Sequence, residues 1–221
     1  MDIKRSFPCF SNKLLPENGM TMHLSTACNI RCARCVIDDD PGYATSLSRT
    51  GMTIMTADGA VDLLQHCMNA AGPPSHVQIG GLGEPLLHAE TFILMRKLNA
   101  AYPDLPVTVW TNGILLSDRL DEMVRSGLNG IILSIHAACP DTADAFYDWV
   151  NYRGRRSTGK DASHFILRRQ WSGLTNAIEA GIETTVYTAR IPGVNDHEVD
   201  RIVTKARSIG VDRTEIVDLG R

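Results

Sequence analysis

Cys28, Cys32 and Cys35 stand in the run Thr26-Ala27-Cys28-Asn29-Ile30-Arg31-Cys32-Ala33-Arg34-Cys35, a C-x3-C-x2-C spacing that offers three soft thiolates to one metal centre. No fourth cysteine lies close by, whereas iron-sulfur clusters ordinarily take four. A cubane held by three thiolates keeps one iron open, as catalytic metal sites keep a position for a substrate. That asymmetry predicts chemistry rather than simple electron transfer. Zinc is the plainer alternative, but structural zinc sites join two ligand pairs, and no second C-x-x-C or H-x3-H follows. The chain's six cysteines could also form disulfides, yet three of them crowd into eight residues, which suits metal ligation in a reducing compartment better.

The elements that must position these thiols are short apolar segments alternating with amphipathic ones. Strands rich in Val, Ile, Leu or Thr are predicted at Met20 to Ala27, His76 to Leu82, Pro106 to Thr111, Gly130 to His136, Glu183 to Ala189 and Arg213 to Leu219. Helices are predicted at Thr56 to Ala71, His88 to Tyr102, Ser117 to Ser126, Asp141 to Tyr152, Asp161 to Ala180 and Asp196 to Ile209. In the last of these, Val199, Ile202, Val203, Ala206 and Ile209 share one stripe, with Asp196 as the expected N-cap and Gly210 as the stop. Alternation of this kind implies an α/β fold with parallel strands and right-handed crossovers. Six repeats are too few for a closed eight-stranded barrel, so the architecture is an open partial barrel or a doubly wound sheet. Both put ligands at the C-terminal ends of the strands. The cysteine run, Gly80 to Glu84, Thr111-Asn112-Gly113, Ser134-Ile135-His136 and Arg190-Ile191-Pro192-Gly193 all fall at such ends.

At 221 residues and 43% hydrophobic, the chain can bury a full core and is expected to form one domain over 1–221, with 1–19 as an N-terminal extension. A net charge of -3 and a pI near 6.1 give no general electrostatic reason to bind nucleic acid or an anionic membrane. No apolar stretch approaches the roughly 18 residues of a transmembrane helix, and Met1 to Phe10 lacks the apolar region of a signal peptide. A cytoplasmic protein is expected. Arg153, Arg155, Arg156 and Lys160 make the one basic cluster, read as a loop over Tyr152 to Asp161. Cys67, beside Val61, Leu64 and Met68, is expected to be a buried small hydrophobe.

With a strand before it, the cysteine run resembles the signature of the radical S-adenosylmethionine (SAM) superfamily, and the other strand-end motifs agree. The resemblance implies a partial (β/α)6 barrel of six parallel strands. It also implies a 4Fe-4S cluster on Cys28, Cys32 and Cys35 whose open iron is chelated by SAM. By the same resemblance, Gly81, Gly83 and Glu84 of the Gly80-Gly81-Leu82-Gly83-Glu84-Pro85 run bind the SAM amino group, and Thr111 and Ser134 hold its methionine part. His136 falls at the ribose, Ile191 along the adenine, and Asp218 ends the sixth strand nearby. The implied partners are an electron donor such as ferredoxin or flavodoxin and a substrate that is a small molecule, peptide or metallocofactor.

A closer resemblance, over nearly the whole chain, is to the NifB family, which builds a nitrogenase cofactor precursor from two further 4Fe-4S clusters. It rests on Phe7-Pro8-Cys9-Phe10-Ser11, Cys28-Asn29-Ile30-Arg31-Cys32, Phe146-Tyr147-Asp148-Trp149-Val150-Asn151-Tyr152 and Ile191-Pro192-Gly193-Val194-Asn195-Asp196. Several of that family's extra cysteines are absent: none follows the signature in Val36-Ile37-Asp38-Asp39-Asp40-Pro41, none stands near Thr108, and no C-terminal pair occurs before Arg221. Arg34 also replaces the usual aromatic residue. The expectation is therefore a radical SAM enzyme with one cluster that abstracts hydrogen from a substrate. Two alternatives stand beside it: cofactor maturation with a partner, and a non-catalytic iron-sulfur scaffold or electron carrier. Arg190, Trp149, Tyr152 and Arg153 are the candidate substrate contacts.

Overall fold

Strands covered on both faces must be apolar nearly throughout, and all six predicted apolar runs are strands of one parallel sheet. The computed structural model describes residues 18–32, 35 and 53–219. The sheet strands are β1 (Met20–Met22), β3 (Val77–Gly80), β4 (Val107–Thr111), β5 (Gly130–Ser134), β8 (Glu183–Arg190) and β9 (Arg213–Asp218). They lie side by side in chain order, β1-β3-β4-β5-β8-β9. A doubly wound sheet reverses its order at a switch point. This one never reverses, so of the two architectures allowed by the pattern it is the partial (β/α)6 barrel.

Five helices cross between these strands or follow them: α1 (Ala57–Ala71), α2 (Ala89–Ala101), α3 (Leu116–Arg125), α5 (Gly159–Glu179) and α6 (Val199–Ser208), with a short α4 (Pro140–Phe146) after β5. Thr56 caps α1, its hydroxyl accepting the Gly59 N–H at 3.2 Å. The main core lies between sheet and helices, where Val107, Val109, Ile131, Leu133 and Val186 meet Leu64, Leu94, Leu98, Met123, Ile166, Leu174 and Ile202. The alternate residues Trp110, Ile132, Tyr187 and Ala189 form a second cluster on the other face of the sheet, joined by Val217 and Leu219.

Four sequence expectations change. Asp141 to Tyr152 is not one helix: α4 ends at Phe146, and Tyr147–Tyr152 is a strand, β6. The predicted basic loop is its partner strand β7 (Arg155–Thr158), joined through Arg153 and Gly154 at φ of 51° and 78°. Two consecutive positive φ values are the mark of a tight hairpin turn whose twist matches that of the strands. The hairpin adds to a further short strand, β2 (Ile30–Cys32), as an antiparallel sheet in the order β2-β6-β7. Asp196 does not cap α6; its carboxylate accepts the Gly193 N–H at 2.9 Å within a 3-10 turn, and α6 starts after Glu198. Cys67 is half-buried rather than buried.

Candidate active site

Cys28 lies between β1 and β2, Cys32 ends β2, and Cys35 follows it. All three are half-buried. The Ser25 hydroxyl accepts the Ala27 N–H at 3.1 Å, turning the chain into Cys28. Cys32 is paired with Tyr147 across the β2–β6 register, so the backbone at the middle cysteine is held by the hairpin. Burial, with the Glu84 carboxylate and Cys35 nearby, pushes the Cys28 thiol up to about 12, against the Ile30 N–H and the Asn112 amide, which lower it. A thiol in that setting becomes a thiolate when a metal supplies the missing positive charge.

The loop after β3 is laid flat against the cysteine loop. The Glu84 N–H donates to Ala27 O at 2.7 Å. A Cβ on Gly83, whose φ is +63°, would stand 2.5 Å from Ala27 O and 2.6 Å from Ser25 O, so the approach requires glycine. Gly81, with φ of 101°, continues this backbone, half-buried beyond the strand end. Glu84 and Thr111, in contrast, are turned inward. Both are about 1% exposed. One Glu84 oxygen accepts the Leu86 N–H at 3.1 Å and the Thr111 hydroxyl at 2.6 Å, while the other accepts the Asn112 N–H at 2.8 Å. Burial raises this carboxyl to about 7 although those three donors pull it down. Thr111 shares its face with Leu133 on the helix side, and its hydroxyl also accepts the Gly113 N–H at 3.1 Å. The structure therefore places these two side chains where they hold loops together, away from the face that carries Ser134 and His136.

Ser134 and His136 do share that face with Trp110 and Tyr187. The Trp110 indole donates to the Ser134 hydroxyl at 2.8 Å. His136 stacks on Phe146 with ring centroids 4.6 Å apart, and its Nδ1 accepts the Ala189 N–H at 3.1 Å. Burial drives its pKa down to about 3, so the ring is neutral with its proton on Nε2. Ile191 follows on the next strand end, its N–H bonded to Asn195 Oδ1 at 2.7 Å. Asp218 and Arg190 form an ion pair at 3.3 Å, which joins a predicted cofactor contact to a predicted substrate contact.

Two buried amides tie these ends together: Asn195, which the sequence reading placed only in the loop along the adenine, and Gln170, which it did not single out. Asn195, wholly buried, donates to His136 O at 2.8 Å and Ala189 O at 2.7 Å. Gln170, reaching up from α5, donates to Asn112 O at 3.1 Å and Ser134 O at 3.0 Å. Asn195 stands in a Pro-Gly-Val-Asn turn that could have marked it; Gln170 sits mid-helix among apolar neighbours, and only its polarity on the buried stripe was a signal.

Residues 22–206 match the Radical SAM superfamily. The chain belongs to that family. Over 214 residues it is 29% identical to the FeMo cofactor biosynthesis protein NifB of Klebsiella pneumoniae, a match covering 95% of this chain and 45% of that protein. The NifB of Rhizobium meliloti (strain 1021) is 31% identical over 207 residues, covering 90% and 41% respectively. The chain thus spans less than half the length of these curated relatives. The fold recurs in Streptococcus suis SuiB, with a TM-score of 0.63 at 14% identity over 91% of this chain and 39% of that one. It recurs also in anSMEcpe with bound AdoMet, with a TM-score of 0.61 at 15% identity over 90% and 51%.

Radical SAM enzymes use a 4Fe-4S cluster and SAM, and the residues present fit both. Three thiols on one segment match a cubane that takes one thiolate per iron and leaves the fourth iron to SAM. The Asn112 amide points a donor at Cys28 Sγ from 3.6 Å, a contact suited to a thiolate. No helix among the described residues is long and apolar enough to cross a membrane.

The hairpin residues expected as substrate contacts are engaged with other side chains. Tyr152 donates its hydroxyl to Asp118 Oδ2 at 3.0 Å, Arg169 bonds the same oxygen at 2.7 Å, and Arg153 reaches Asp118 Oδ1 at 3.7 Å. Tyr152 and Arg153 therefore clip the hairpin to α3. Trp149 carries the Arg156 guanidinium over its ring at 4.2 Å. Cys139, beside the end of β5, has its N–H on Glu198 Oε2 at 3.2 Å and its sulfur 3.6 Å from the Thr142 hydroxyl. Cys9 and Arg34 lie outside the described residues.

Proposed function

We propose that this radical SAM enzyme holds its cluster on Cys28, Cys32 and Cys35 and acts on its substrate by hydrogen abstraction. A cluster held by Cys28, Cys32 and Cys35, with SAM bound beside it, would supply one-electron reductive cleavage of SAM and hence hydrogen-atom abstraction from the substrate. The chain's own residues orient and enclose. Gly81 and Gly83 leave backbone open to the SAM amino group, and Glu84 supports them from beneath by fixing Thr111 and Asn112. Ser134, neutral His136, Ile191 and Asp218 line the remaining strand ends for the methionine, ribose and adenine. The reductant is a low-potential carrier such as ferredoxin or flavodoxin, met in a reducing cytoplasm. The substrate is unassigned, and Arg190, freed from Asp218, offers a planar fork for a carboxylate or phosphate.

The observation that carries this reading is the stitching of the Gly83-Glu84 turn onto the cysteine loop by the 2.7 Å bond from Glu84 N–H to Ala27 O, which brings the cluster loop and the SAM loop to one place. Anaerobic reconstitution with iron and sulfide, then dithionite and SAM, should yield 5'-deoxyadenosine. An iron-loaded protein that forms none, with no SAM-induced change in its EPR signal, is instead an electron carrier or scaffold.

Nitrogenase cofactor maturation is the second reading, supported by the NifB relatives and by the direct pairing of two NifB-like segments, Ile30–Cys32 and Tyr147–Tyr152. Iron analysis separates the two. About four irons per chain fits a lone cubane, and about twelve fits a protein that also carries two cluster substrates.

A further inference from the structure

We infer that Asn112 tunes the reduction potential of the cluster by donating a hydrogen bond to the Cys28 sulfur. The inference rests on Cys28 as an iron ligand. An asparagine amide has two N–H donors and one oxygen, and which end points where follows from its partners. Here the oxygen accepts the Ile114 N–H at 3.0 Å, which leaves the NH2 facing the cysteine loop. One hydrogen goes to Asn29 Oδ1 at 2.8 Å, and the other is directed at Cys28 Sγ at 3.6 Å, a normal reach for the larger sulfur atom.

The backbone of Asn112 is held just as fully. Its N–H is on Glu84 Oε2 at 2.8 Å, and its carbonyl accepts from Gln170 at 3.1 Å. Every polar group of the residue is thus committed, and the side chain cannot swing away when the sulfur changes its charge. A fixed donor to a ligand sulfur stabilises the more negative, reduced cluster, and such bonds are among the determinants of cluster potential. Asn112 is therefore a positioning residue that acts through Cys28, and it should make the cluster easier to reduce.

The test is an EPR-monitored redox titration of the reconstituted protein without SAM, comparing the native chain with Asn112→Ala and Asn112→Asp. Alanine deletes the donor. Aspartate keeps the shape and the oxygen that meets Ile114 but turns an acceptor toward Cys28. The expected result is a shift of the midpoint to more negative potential in both variants, larger in the aspartate. An unshifted or more positive midpoint in both overturns the inference, and so does failure of both to load a cluster, since Asn112 would then be structural only. A native chain that takes up no cluster defeats the ligand assignment itself, which keeps the two failures apart.

Discussion

Cys32 stands opposite Tyr147 where β2 pairs with β6, so the backbone at the middle cysteine and the hairpin belong to one sheet. The hairpin is anchored elsewhere by Asp118. Replacing Asp118 by Ala removes the acceptor for Tyr152 and Arg169 and should cost about 1 kcal/mol, as for a solvent-facing carboxylate that holds two partners. The loss should be local first. Hydrogen exchange should quicken across Tyr147 to Thr158, including the Asn151 N–H that bonds Asn29 O at 2.7 Å. Unchanged exchange there would mean that the Asp118 clip does not hold the hairpin.

Gly83→Ala tests the contact between the SAM loop and the cysteine loop. The added methyl would meet two carbonyl oxygens at 2.5 and 2.6 Å, both backbone, at a positive φ. Neither neighbour can rotate away. A destabilisation of at least about 2 kcal/mol is expected from strain of this kind, together with poorer iron loading. Urea denaturation of the apo-protein and iron analysis after reconstitution would measure the two parts, and a variant with native stability would show that the loops are not pressed together.

Cys32→Ala should abolish the cluster, while Cys139→Ala should leave it intact. The two thiols are both half-buried, but only Cys32 lies on the ligand segment; Cys139 opens α4 beside Thr142. Iron content and the visible absorbance of the reconstituted proteins report the difference. Retained absorbance in the Cys32 variant would refute its role as a ligand.

The sheet and most helices were legible because burial writes a period into the chain: Val107, Val109, Ile131 and Leu133 alternate with residues of the opposite face. The hairpin was misread for a physical reason. Ala143, Phe146, Tyr147 and Val150 are all buried and fall at helical spacing, so the stripe of α4 runs on into a strand without a break. The turn that ends the run uses Arg153 at positive φ, where Asn or Asp would have announced it. At the site, the cysteine spacing and the glycines were readable since ligand chemistry and backbone conformation are local. The inward turn of Glu84 and Thr111 was not. A carboxylate after a glycine run reads as exposed, and what buries it comes from Leu86, Thr111 and Asn112, the last two on another strand end.

His136 supplies the pH dependence. Its Nδ1 accepts the Ala189 N–H, so a second proton on the ring would set one N–H against another. Burial lowers the folded-state pKa from 6.5 to about 3, while the unfolded chain keeps the ordinary value. The unfolded state therefore binds more protons below pH 6.5, and stability must fall as the pH drops from there toward 3. At pH 5 the loss from this one residue is about 2 kcal/mol relative to pH 8. His136→Asn, which keeps an acceptor but does not titrate, should lose less stability over the same interval. Urea denaturation of both apo-proteins at the two pH values measures it. Equal losses in the native chain and the variant would mean that His136 is not buried neutral, and its place as an uncharged neighbour of the SAM ribose would fall with it.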